Sequence, residues 1–202
     1  MAKKGFFVVF EGPDGSGQST QVELLVNYLK AKGCKVLATK EPTLQSKAGK
    51  TIREALDEKI KLGPQELQGL FTKDRASHLK NIILPALKRG KIVISDRYFF
   101  SSFAFGAANG VSLDWLVRMN KMFLHPDLTL ILDVPAEVSV GRIEKRGKLK
   151  TLFEKKQKLE KVIKIYRIFP RRFSNVYLVD GRKPIPKVFQ SVRKIVRSKL
   201  NI

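Results

Sequence analysis

One stretch near the N-terminus restricts the fold more than any other: Phe6-Phe7-Val8-Val9-Phe10-Glu11, followed by Gly12-Pro13-Asp14-Gly15-Ser16-Gly17-Gln18-Ser19-Thr20. Five consecutive apolar residues, valines and aromatics, predict a strand buried on both faces. The helical spacing of Val22, Leu24, Leu25, Tyr28 and Leu29 predicts a helix directly after the glycine-rich turn. Strand, turn and helix in this order make an anion cradle. Glycines let backbone N–H groups curl inward, and the helix N-terminus adds unsatisfied donors and partial positive charge.

Gly12 to Ser19 match the Walker A pattern G-x-x-x-x-G-K-S/T at every defined position except one, where Gln18 replaces the lysine. Glutamine offers two neutral donors on a shorter stem and neutralises no phosphate charge, so the exchange harms turnover more than binding.

The 202 residues suit a single domain, 1–202, with a substantial core. No segment approaches the roughly 18 to 20 uncharged apolar residues that span a bilayer, so no transmembrane helix is expected. Met1-Ala2-Lys3-Lys4 is basic, but the apolar run behind it is short and ends at Glu11 without a small-residue cleavage pattern. It reads as a core strand. The single cysteine, Cys34, excludes an internal disulfide and a cysteine metal cluster, and suits the cytoplasm. Charge is uneven: residues 141–202 carry 20 Lys and Arg against 4 Asp and Glu, so +16 of the chain's +22 lies there. Such a field attracts polyanions, or is one solvated helix face.

Further along, Cys34 to Thr39 predicts a second strand, 51–61 a helix, and Gln65 to Lys88 a long helix bent near Pro85. Lys91 to Ser95 predicts a third strand, 113–123 a helix and Leu128 to Val134 a fourth strand. Helices follow over 136–146 and 152–169, then a strand at Val176 to Asp180 and a helix over 186–200. Phe99 to Ala108 carries small and aromatic residues with no assigned element. Lys40-Glu41 and Asp96-Arg97-Tyr98 end the second and third strands, where an open α/β sheet binds its ligands. An acid and a base at the end of a buried strand are costly unless they bind something or each other. Phe71 and Arg75, four apart, project from one helix face. His78 and His125 read as structural. The whole is an α/β chain: a doubly wound, five-stranded parallel sheet flanked by helices, of the P-loop NTPase or nucleoside monophosphate kinase type.

Five segments resemble the thymidylate kinases: Phe10 to Gly17, Thr39-Lys40-Glu41-Pro42, Leu70 to His78, Asp96-Arg97-Tyr98 and Leu132 to Glu137. The resemblance implies transfer of the ATP γ-phosphate to dTMP with Mg2+, in a homodimer, with a short lid at about 142–153. It places ATP phosphates on Gly12, Pro13, Asp14, Gly15, Ser16, Gly17, Gln18, Ser19 and Thr20, with Arg142 also on ATP and Ser19 and Asp96 on the metal. Asp14 would meet the sugar 3′-hydroxyl and Phe71 would stack on the base. Arg75 and Arg97 would grip the monophosphate, and Lys40, Glu41, Ser101 and Phe105 complete its site. Arg97, Gln18, Asp96 and Arg146 are the expected catalytic residues.

Departures accompany the likeness. Lys40 stands where the family has arginine and makes no planar two-pronged phosphate contact. The two glycines usual after Glu41-Pro42 are Thr43-Leu44, and Phe100, Phe105 and Gly106 replace the family's acid, tyrosine and glutamine. Arg142, Arg146, Lys148 and Lys150 are the candidates to restore the charge missing at Gln18. The competing readings are a weak relative that binds nucleotide, or nucleic acid through its basic C-terminal third, and a kinase for another monophosphate such as dUMP or UMP.

Overall fold

The computed structural model describes residues 5–145 and 152–200. Phe6–Glu11 forms β1, and Phe7 to Glu11 have no solvent exposure. Four parallel strands join it: β2 Val36–Lys40, β3 Ile92–Asp96, β4 Leu128–Asp133 and β5 Val176–Asp180, in the order β2-β3-β1-β4-β5. Helices α1 Gln18–Ala31, α2 Lys47–Leu56, α3 Pro64–His78 and α4 Leu84–Lys88 precede β3 or its partners in sequence; α5 Phe99–Ala108, α6 Leu113–Asn120, α7 Ala136–Glu144, α8 Leu152–Arg172 and α9 Ile185–Leu200 follow.

The central place of β1 explains its composition, because successive side chains enter opposite cores. Phe7 and Val9 pack with Val93, Phe99, Phe103 and Tyr166 on one face. Val8 and Phe10 pack with Leu25, Leu29, Ile94 and Val192 on the other. Each such buried side chain stabilises the fold by roughly 1.5–3 kcal/mol. Helices α1 and α9 cover one face, α5 and α8 the other, which is the expected doubly wound sheet.

Local differences from the sequence reading have physical causes. The helix expected over 51–61 is α2, which starts earlier because Ser46 caps it, accepting from Gly49 N–H at 2.8 Å. The long helix is distorted before Pro85, not at it: Leu79–Ile83 is a π turn, and Leu84 N–H reaches back five residues to the Leu79 carbonyl. The widened turn accommodates a ring that would meet the carbonyl of a regular helix. Phe99 to Ala108 is helical. Of the expected lid at 142–153, residues 146–151 lie outside the described residues. Among the described residues, no helix is long and apolar enough to cross a membrane.

Candidate active site

Strand register decides what meets at the carboxyl edge of the sheet. Phe10 pairs with Asp96, and Lys40 pairs with Asp96 from the other side. Three strand ends therefore lie level, and the glycine turn leaves from the middle one. At Gly15 the backbone is left-handed (φ 80°), and a Cβ there would lie 2.5 Å from the Ser139 carbonyl, so both conformation and space require glycine. Gly17, also left-handed, starts α1. Ser16 Oγ is buried with no hydrogen-bond partner among the described residues. Pro13 is buried and accepts from Ser16 N–H, and Thr20 is half-buried in the first turn of α1. Gln18 is buried too, and its Nε2 donates to the Phe10 carbonyl at 3.3 Å. The carboxamide is thus tied to the end of β1.

Ser19 Oγ donates to Asp96 Oδ2 at 2.7 Å, and the Lys40 ammonium donates to the same oxygen at 3.2 Å. Next to them Arg97 adopts a left-handed backbone (φ 76°), costly for a branched-out side chain and held in place by its N–H on the Phe10 carbonyl and its carbonyl on Ser95 Oγ. Its guanidinium donates to the Gly12 carbonyl (3.0 Å), Ser101 Oγ (3.0 Å) and Asp14 Oδ1 (2.7 Å), with its carbon 5.3 Å from the Phe105 ring centre. Burial disfavours this cation, but the negative charge of Asp14, with Glu11 and Asp96 further off, outweighs it and holds the Arg97 pKa above its ordinary value.

Glu11 organises this corner, a role missed by sequence reasoning, which took it as the end of the apolar run and part of a family-like segment with no function of its own. Its carboxylate accepts from the N–H groups of Tyr98 (2.9 Å) and Ser101 (3.2 Å), from Ser101 Oγ and from the Tyr166 hydroxyl (3.0 Å). It thereby caps α5 from outside and fixes the segment carrying Arg97. Burial raises its pKa to about 7, against the lowering effects of Ser101, Arg97, Tyr166 and the Tyr98 N–H. A lone acid closing an apolar strand was the available signal.

Arg75 belongs to a second cluster. It is 1% exposed; Nε and NH2 lie 2.9 Å from Glu41 Oε2, NH1 donates to Asn120 Oδ1 and NH2 to Ser102 Oγ. His78 joins Glu41 Oε1 (3.1 Å) to Thr39 Oγ1 (2.6 Å), a structural role as expected. Asp74 holds the loop after β2 by accepting from the Thr43 N–H and hydroxyl and from Ser46. Arg75 and Arg97, both expected on the monophosphate, have different protein partners: Arg97 contacts the glycine turn through Gly12 and Asp14, and Arg75 contacts Glu41, Ser102 and Asn120. A buried guanidinium needs its acid close by, and Glu41 supplies it. Phe71 is half-buried on α3.

Arg142 donates to the carbonyls of Ser16 (3.2 Å) and Gly181 (2.9 Å), tying the glycine turn to the turn after β5. Arg146, expected to be catalytic, lies outside the described residues, as do Lys148 and Lys150. Ser19 and Asp96 fit Mg2+, since a hydroxyl and a carboxylate are hard oxygen donors and the ion takes its remaining ligands from phosphates and water.

The family model described as thymidylate kinase matches residues 10–192. A probable thymidylate kinase of Pyrococcus horikoshii is 40% identical over 98% of each chain, and one of Archaeoglobus fulgidus is 40% identical over 96% of each. A thymidylate kinase of Desulfotalea psychrophila is 40% identical over 80% of each chain. Its sheet, its glycine turn and these relatives agree: the chain belongs to the thymidylate kinase family.

Proposed function

We propose that the protein transfers the γ-phosphate of ATP to dTMP, giving ADP and dTDP. The observation that carries this reading is the meeting of Arg97, Asp14, Ser19 and Asp96 at the glycine turn, within hydrogen-bond distance of one another in pairs. In phosphoryl transfer the protein contributes positioning and cations more than covalent chemistry. Backbone N–H groups of the turn from Asp14 to Thr20 and the Ser16 hydroxyl hold the ATP phosphates. Ser19 and Asp96 hold Mg2+, which when bound neutralises charge on the phosphate oxygens. Arg97 lies between the turn and α5, where it meets the acceptor phosphate and the transferred group. An acceptor phosphate oxygen attacks the γ-phosphorus in line, the bond to the β-phosphate oxygen breaks, and ADP leaves with the electron pair. Lys40 adds a half-exposed cation beside Asp96, and Asp14, which is exposed, remains available to the sugar hydroxyl.

Arg142 orders the loop, Glu41 orders Arg75, and Phe71 and Phe105 offer aromatic surface to the base. We extend the proposal to a single domain with its lid at about 142–153, to a cytoplasmic location, and to a homodimer. The nucleotide- or nucleic-acid-binding alternative is not favoured. ADP release with dTMP, dUMP, UMP, dCMP and AMP tests the reading. It predicts the highest kcat/KM for dTMP, and no monophosphate-dependent ADP release contradicts it.

A further inference from the structure

Gln68 lies on α3, seven residues before Arg75 and three before Phe71, so the three share one helix face. That face meets α5. At one end Arg75 donates to Ser102 Oγ. At the other, the Gln68 carboxamide carbon lies 3.2 Å from the point where a Cβ on Gly106 would stand, and Leu116 Cδ1 lies 2.9 Å from the same point. Gly106 has no room for a side chain of its own. The carboxamide that fills this corner comes from the opposite helix.

Gln68 is 4% exposed, and its Oε1 has no hydrogen-bond partner among the described residues. A buried side-chain carbonyl without a partner destabilises the protein unless something else satisfies it. Half-buried Phe71 lies one turn further along the same face of α3, and half-buried Phe105 precedes Gly106 in α5 with its ring 5.3 Å from the Arg97 guanidinium carbon, so the two helices that enclose the acceptor each carry an aromatic ring. Two aromatic rings and a buried acceptor suit a flat heterocycle that has an N–H in its plane. A carboxamide presents an acceptor and a donor side by side, which matches the adjacent N–H and carbonyl of a thymine or uracil ring.

We propose that Gln68 is a specificity-determining residue, whose Oε1 accepts the N3–H of the acceptor pyrimidine. The proposal deepens the dTMP reading and rests on it. Gln68 is also a liability in the free protein, since its acceptor is satisfied only when the base is bound.

The test compares dTMP with the 5′-monophosphate of N3-methylthymidine, on wild type and on Gln68→Met. Wild type is expected to prefer dTMP by about 10- to 100-fold in kcat/KM, the range for leaving a buried polar group unpaired. Gln68→Met is expected to bring the two substrates within about threefold, mainly by raising KM for dTMP. Without ligand the variant is expected to melt no lower than wild type, because an apolar group of similar shape replaces an unsatisfied one. A merely structural role would slow both substrates alike, and a ratio preserved in the variant overturns the proposal. Should Gln68→Met fail to fold, Gln68→Leu replaces it, and equal use of the two substrates by wild type overturns the proposal without any variant. A wild type that phosphorylates neither overturns the dTMP reading itself, and the proposal with it.

Discussion

The two polar clusters at the carboxyl edge of the sheet are built on opposite principles. Around the glycine turn, groups are left open: Ser16 Oγ has no partner among the described residues, Asp14 is exposed, and Lys40 is half-exposed on Asp96. Around Arg75 the groups satisfy one another, with Glu41 bound to Arg75 and His78, and Asp74 bound to Thr43 and Ser46. The first cluster keeps donors for a ligand that brings its own charge; the second fixes the loop after β2 against α3, α5 and α6 before any ligand arrives. Disturbing the first should alter catalysis with the fold intact, whereas disturbing the second should alter stability.

The largest expected effect is on the closed cluster. Glu41→Ala strands the buried Arg75 cation and should destabilise the protein by about 3–5 kcal/mol in urea unfolding, the usual result of removing one partner from a buried pair. A loss below about 1 kcal/mol would show that Asn120 and Ser102 alone hold the guanidinium. Slightly smaller in energy, Arg97→Ala should lower kcat by about 100- to 1000-fold, with ATP affinity changed only a few-fold. A variant that instead loses its fold would erase the distinction between the clusters.

Glu11 sits on the boundary between them and sharpens the contrast through pH. Its pKa is raised from 4.5 to about 7, chiefly by burial, so the folded protein favours the protonated carboxyl. The stability this contributes is complete below pH 4.5 and is lost as pH rises through 7. Relative to Glu11→Gln, wild type should therefore lose about 3 kcal/mol between those limits. Parallel stability curves for the two proteins would mean that Glu11 is already ionised in the fold. The smallest effect belongs to Gln18→Lys, which should change kcat by less than about tenfold, because Lys40, Arg97 and Arg142 already bring cations to the turn. A gain above about 100-fold would mean that the native turn is short of charge.

Much of the architecture was legible because it is local. A run of apolar residues announces a doubly buried strand, and Asp96-Arg97 at a strand end announces a site. Gly49 lies outside the helix expected over 51–61, yet it is part of α2, where a Cβ would fall 1.9 Å from the Thr43 carbonyl. Phe99 to Ala108 is apolar on nearly every side, so no helical periodicity marks α5. Glu11 and Tyr166 were illegible for another reason, since they are partners 155 residues apart in sequence. Arg75 was recognised as important, but its engagement with Glu41 depends on a packing that spacing does not reveal.

The central claim is that two phosphate chains meet end to end between the glycine turn and Arg97. Calorimetry with adenosine and thymidine joined through their 5′-oxygens by five phosphates tests it most directly. The joined ligand should bind at least about 100-fold more tightly than ATP or dTMP alone, because its second half binds as an intramolecular event. Binding no tighter than that of ATP alone would contradict the claim.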